Sequence, residues 1–206
     1  MKKTSIVLNV ILAVLAGVLI FKVANTDEPQ GNAAYDNIMT RCSVRAYDSE
    51  RTVPDEIIEK ILRAGMAAPT AVNKQPWAFV VIKKPELLKE LADSLPNAKM
   101  TANNASFAIV VCGDMDKALE GVARDFWIQD ASAATENILL AVNSLGLGAV
   151  WTGIYPNMER ANVVSNILNA PKNIIPLCLI PVGYPAEEKN IKDKWKPENI
   201  HYDGWN

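Results

Sequence analysis

The ten residues ASFAIVVCGD, 105 to 114, restrict the fold more than any other part of the chain. The run is too short for a typical helix, is rich in β-branched residues, and is apolar enough to be a strand buried on both faces. Such a strand needs a covering layer on each side, and the flanking sequence supplies helices to make them. Helical patterns are expected within 53–70, from Pro54 at the first helical position to a stop before Pro69, with Ile57, Ile58, Ile61, Leu62 and Met66 on one face, and at 85–95 and 158–168. The longest spans 124–145, where Ala131, Ala134, Ile138, Leu139 and Val142 recur near the helical period among small residues that permit close backbone approach. Further strands are expected at 76–84, 146–151 and 173–185; the prolines of the last argue for strand ends or a sheet edge. The result is a mixed α/β arrangement, one layer of sheet covered by helices.

Of the 206 residues, half are apolar, enough for one domain with a sizeable core. The leading segment stands apart. After Lys2 and Lys3, Thr4 to Phe21 carries 18 residues without a charge. As a helix this run is about 27 Å long, close to the bilayer core of about 30 Å. Residues 1–24 therefore read as a signal peptide or a membrane anchor, with a buried soluble helix as the other option, and 25–34 as an exposed linker. The first two options place the domain, 35–206, in the cell envelope. The formal charge of the chain is -2; without Lys2, Lys3 and Lys22 it has 18 basic against 23 acidic side chains, or -5. With no basic block, nucleic acid is not an expected partner. Cys42, Cys112 and Cys178 are widely spaced, and His201 is the only histidine, so neither a disulfide framework nor an ordinary zinc or non-haem iron site is expected. Both phosphate-loop glycine fingerprints are missing.

Against this acidic background, TRCSVRAY (40–47) is conspicuous. If it is extended, Ser43 and Arg45 point the same way and Arg41 can join them from the end of the preceding helix. Two guanidinium forks and a hydroxyl suit a phosphate, although a basic surface turn has the same composition. Cys42 reads as core filler or reactive thiol, with its side chain expected to point away from the clamp. In APTAVNKQPW (68–77), Asn73 and Gln75 lie on irregular backbone between a helix and a buried strand. They suit the edge of a heteroaromatic ring, and also the capping of turns. The tail from Ala186 carries Trp195, Tyr202 and Trp205, rings that need cover from their own domain or from a second subunit. His201 reads as a packing residue or an acid catalyst.

Taken in order, RCSVRAY, the AP-A-NKQPW-FVV run, ASAATENILLAVNSLGLGAVWTGIYP and the closing GYPAEEKNIKDKWKPENIHYDGW resemble the nitroreductase family of flavin enzymes over residues 35–206. The resemblance implies an α+β fold, a three-layer α-β-α sandwich with a mixed, mainly antiparallel sheet. It also implies a homodimer with FMN held in the subunit interface. Arg41, Cys42, Ser43 and Arg45 match the segment that holds the FMN phosphate, ribityl chain and pyrimidine oxygens. Pro69, Thr70 and Ala71 match a segment reaching the flavin from the other subunit, and Asn73 the side chain at the pyrimidine edge. Trp151, Thr152 and Gly153 match the strand end that covers one ring face, with backbone N–H near flavin N5, and Lys192 and Lys194 match a basic pair that closes on the phosphate. The implied activity passes hydride from NADH or NADPH through flavin N5 to a nitroaromatic, quinone or similar acceptor in a ping-pong scheme, without a side-chain nucleophile. Two alternatives accompany it: a flavin-dependent reductive dehalogenase, for which 95–106 lacks the acidic, tyrosine and lysine set that would grip an amino acid, and a non-catalytic flavin-binding envelope protein.

Overall fold

The computed structural model describes residues 32–102 and 104–205. The expected leader and most of the linker at 25–34 lie outside them. Helix α1 (Ala33–Thr40) begins inside the last two positions of that linker.

Helix α2 (Asp55–Met66) follows Pro54, which is extended (φ -64°, ψ 151°) and so stands one residue before the position the sequence suggested. Asp55 and Glu56 then occupy the first turn, where carboxylates favour the helix dipole. Ile58, Ile61 and Gly65 are buried. Met66, expected on the same face, is exposed because the helix ends there, and it lines an open hollow with Leu62, Trp77 and Phe79. After α2 come β1 (Trp77–Ile82), α3 (Pro85–Ser94), β2 (Phe107–Asp114), α4 (Phe126–Ser144), β3 (Gly148–Ala149), β4 (Thr152–Gly153), α5 (Met158–Ile167) and β5 (Ile174–Gly183). Of the strand expected at 146–151 only Gly148–Ala149 (β3) forms, and β4 follows beyond that range, after Val150 and Trp151.

The strands form one sheet in the order β1-β2-β5-β3, with β4 also on β5, and every pairing among the described residues is antiparallel. All eight residues of β2 are buried. Phe107, Ile109 and Val111 face α2 and α4, packing with Ile61, Trp127, Ala131 and Ile138; Ala108, Val110 and Cys112 face α3 and α5, packing with Leu88, Leu91, Ala161 and Val164. The fold is a three-layer α-β-α sandwich. Close approach of α2 to α4 depends on Gly65, where a Cβ would lie 2.9 Å from the Ile138 side chain.

Strand β5 is central, and Pro176 and Pro181 lie within it, so the prolines mark neither strand ends nor a sheet edge as the sequence suggested. Pro176 sits at a register shift, where Val111 pairs with Cys178 but Cys112 with Pro176. Pro181 lies opposite the gap between β3, which ends on Val182, and β4, which begins on Leu179. Its missing N–H therefore has no ladder partner to lose, and its carbonyl accepts from the Tyr47 hydroxyl at 3.1 Å.

At the end of β2, buried Asp114 accepts from the Asp116 N–H (3.2 Å) and Asn173 Nδ2 (3.0 Å) and pairs with Lys117 Nζ (3.0 Å). Burial by itself raises the Asp114 carboxyl, but these partners together outweigh it and hold the group below its ordinary value. Its contribution is therefore present above the unfolded-state pKa and lost as pH falls through the lower folded-state one. Asp114→Asn is expected to lower the urea midpoint at pH 7, and the difference from wild type should shrink below about pH 4. Parallel urea curves for both proteins at pH 7 and pH 3 measure this, and an undiminished gap at pH 3 contradicts it.

Candidate functional site

From Arg41 the chain runs past the sheet edge at β3. The Val44 N–H donates to the Ala149 carbonyl at 3.0 Å, which fixes the height of the segment against the sheet. Val44 is buried while Ser43 and Arg45 on either side are exposed, the alternation that an extended SVRAY requires. Two features hold Val44 in place. Gly148 leaves room for it, since a Cβ there would lie 2.6 Å from Val44 Cγ1. The Tyr47 hydroxyl donates to the Val44 carbonyl at 2.7 Å. Burial, reinforced by the charge of Glu187 and opposed by that of Arg45, raises the Tyr47 phenol far above its ordinary value, so it stays a donor.

Arg41 is mostly buried, with Nε 3.3 Å from Glu136 Oε1 on α4. The tail then returns to the same place. Glu187 Oε1 accepts from the N–H of Arg45 (2.6 Å) and of Ala46 (3.3 Å), and Lys189 Nζ donates to Asn143 Oδ1 at 2.8 Å. With the tail tied at these points, Asn190, Lys192 and Lys194 join Arg41, Cys42, Ser43 and Arg45 around one hollow of about 260 Å³. Cys42, half-buried, is among the residues that line this hollow, although its side chain was expected to point away from the clamp. Asn190 was not singled out from the sequence. The signal was present, since Asn190, Lys192 and Lys194 share one side of an extended chain. Glu136, Glu187 and Asn143, which anchor the cations and the tail, carry no such signal.

Two arginines, two lysines, a hydroxyl and an amide in a domain of net negative charge are the donor set for a phosphate. Small-molecule sites usually occupy about 300–1,000 Å³, so this hollow suits one end of a larger ligand.

The remaining sequence-predicted residues lie elsewhere on the chain. Pro69 and Thr70 lead into a 3-10 turn (Ala71–Asn73) between α2 and β1, and Asn73 borders the hollow shared by Leu62, Met66 and Trp77. Three non-glycine residues of this loop have left-handed backbone: Val72 (φ 44°), Asn73 (φ 57°) and Gln75 (φ 50°). The loop is held internally by Gln75 N–H to Thr70 Oγ1 (3.1 Å) and Gln75 Nε2 to Asn73 Oδ1 (3.0 Å). Strain of this kind persists where surrounding bonds over-determine it.

Trp151 is partly exposed, and Thr152 is buried with its hydroxyl 3.8 Å from Met100 Sδ. Gly153 passes its carbonyl to Asn97 Nδ2 at 2.8 Å, and a Cβ on Gly153 would meet nothing within 4 Å. The strand end is thus fixed from behind and open in front. Asn97 too went unnoticed in the sequence.

In the tail, Trp195, Tyr202 and Trp205 remain 69%, 80% and 86% exposed, so their own domain does not cover them. His201 stacks on Trp205 with ring centroids 3.8 Å apart, and both rings are exposed.

Residues 38–184 match the model of the nitroreductase family. Over 171 residues the chain is 46% identical to a protein of Archaeoglobus fulgidus named for NADH dehydrogenase and NAD(P)H nitroreductase activity, covering 82% of this chain and 96% of the relative. A crystal structure from Bacteroides thetaiotaomicron under the same name superposes with a TM-score of 0.79 at 46% identity, over 85% of this chain and 100% of the other. A nitroreductase of Desulfovibrio desulfuricans solved in complex with FMN superposes with a TM-score of 0.71 at 29% identity, over 86% and 100%. A family match that spans residues 38–184, more than half of the chain, makes this chain a member of the nitroreductase family.

Proposed function

We propose that the chain is an FMN-dependent oxidoreductase acting as a homodimer. The observation that carries this reading is the convergence of Arg41, Ser43, Arg45, Lys192 and Lys194 on one hollow from opposite ends of an acidic domain. Arg41 and Arg45 bind the phosphate through charge-assisted hydrogen bonds, and Glu136 keeps Arg41 extended toward it. Ser43 fills an acceptor position between them, and the lysines of the tethered tail add charge from the other side. The open face at Gly153 leaves room for a planar ring beside the backbone of β4, while Asn97 holds that backbone still. When bound, FMN supplies the redox chemistry, taking hydride at N5 from NADH or NADPH and passing it to a nitroaromatic, quinone or similar small acceptor in alternation.

The Pro69–Asn73 segment lies outside the clamp hollow of its own chain. It serves the ring bound by a second copy, and the same pairing covers the exposed tail rings. A reductive dehalogenase of amino acids is disfavoured by the use made of 95–106. Asn97 and Met100 there are turned onto Gly153 and Thr152, and so grip the protein's own strand.

The test is a titration of purified protein with FMN, followed by anaerobic addition of NADH or NADPH and then of a nitroaromatic or a quinone. Binding, bleaching of the flavin band by at least one nicotinamide, and its return with acceptor are expected. Protein that binds no FMN overturns the proposal, and tight FMN without bleaching supports the non-catalytic reading instead. Sedimentation of the flavin-loaded protein as a monomer at dilute concentration removes the dimer.

A further inference from the structure

Asp130 lies on α4, is only 6% exposed, and forms no ion pair with a lysine or arginine among the described residues. A buried carboxylate without a cation is costly, and it persists where a well-placed donor compensates. The donor here is the backbone N–H of Ala71, 2.9 Å from Asp130 Oδ1. Ala71 is the residue before the strained stretch that begins at Val72.

That position matters because the other bonds of the loop do not fix where it stands relative to α4. The bonds among Thr70, Ala71, Asn73, Lys74 and Gln75 run within the loop and give it shape. The bond from the Asp114 N–H to the Pro76 carbonyl (3.0 Å) ties only its far end, to β2. Val72 is β-branched, 78% exposed and left-handed, so no packing of its side chain holds that backbone. Ahead of the loop, Ala68 packs on Ala134 and Asn137 Nδ2 donates to the Ala64 carbonyl (3.0 Å), so the end of α2 is held on α4; Asp130 extends that hold to the loop backbone itself, at Ala71.

We propose that Asp130 is the positioning residue of the ring-reading loop. Its carboxylate docks the Ala71 N–H on α4, and so places the strained 70–75 segment, with the Asn73 amide, for the flavin ring and not for the phosphate. The assignment rests on the FMN reading above, and it separates two recognition devices in one site, a clamp set by Glu136 and Glu187 and a ring reader set by Asp130.

Titrations with FMN and with riboflavin, for wild type, Asp130→Ala and Asp130→Asn, test it. Asp130→Ala is expected to weaken both flavins by the same factor, about tenfold for the loss of a hydrogen bond to a charged acceptor, so that the FMN-to-riboflavin preference is unchanged. Asp130→Asn retains an acceptor oxygen and should recover most of the affinity. A role confined to general stability moves the urea midpoint without this equal loss and rescue. Flavin affinities unaltered in Asp130→Ala, a loss confined to FMN, or an Asn variant as weak as the Ala variant each overturn the proposal. Should Asp130→Ala fail to fold, hydrogen exchange in the wild type decides. The Ala71 amide is expected to exchange far more slowly than the exposed amides of the same loop, and rapid exchange there overturns the assignment. If wild type binds no flavin, the functional reading fails, and slow or fast exchange at Ala71 still decides whether Asp130 docks the loop.

Discussion

Replacing Arg41 or Arg45 by Ala is expected to raise the FMN dissociation constant by about 10- to 150-fold, the loss of a charge-assisted hydrogen bond of roughly 1.5–3 kcal/mol. Arg41 should lie at the upper end. Its guanidinium is mostly buried and held by Glu136, so the Ala variant removes a cation that is already fixed in place and shielded from water. Arg45 is exposed and more easily replaced by water, which puts it lower in the range. Lys194→Ala should cost less than either, since a lysine is a point charge on a flexible stem and Lys192 lines the same hollow. Riboflavin has the same ring without the phosphate. Both arginine variants should therefore lose much of the wild-type preference for FMN over riboflavin, and unchanged discrimination in both contradicts the clamp.

Gly148→Ala should damage stability and cofactor binding together. The new Cβ would lie 2.6 Å from Val44 Cγ1 and 2.7 Å from Val44 Cβ, contacts too short to persist. Strand β3 has little freedom to retreat, because Gly148 pairs with Gly183, where an added Cβ would itself lie 3.0 Å from the Tyr47 side chain. Val44 must move instead, and it is the buried anchor between Ser43 and Arg45. Overpacking of this kind costs about 1–3 kcal/mol, and FMN affinity should fall with it because the clamp is carried along. Urea unfolding and FMN titration of the same preparation measure both effects. Gly153→Ala is the control for stability: its Cβ meets nothing within 4 Å, so the urea midpoint should correspond to a change within about 0.5 kcal/mol. A Gly148→Ala protein as stable as wild type would show that Val44 is not tightly held.

Local pattern determined the layers of this protein. Residues 105–114 could be read as a doubly buried strand because every position before the closing Asp114 is apolar or small, and a helix layer on each side removes both faces from water. Helices α2, α3, α4 and α5 followed from periodicity, and the clamp from side-chain alternation in SVRAY, since both are repeats along the chain itself. The tertiary structure decided what depends on neighbours distant in sequence. Proline in β5 normally marks an edge, yet the strand is central, because a register shift and the gap between β3 and β4 absorb the missing donors. Nothing near Glu136, Glu187, Asn97 or Asp130 in sequence distinguishes them from surface polar residues. Their partners lie on other elements, Arg41, the Arg45 N–H, the Gly153 carbonyl and the Ala71 N–H, and only folding brings each pair within hydrogen-bonding distance. Residue types suited to a phosphate or a ring edge were legible because their chemistry is their own. The residues that position them were not, because a carboxylate or amide acquires that role only from the donor or acceptor that the fold places opposite it.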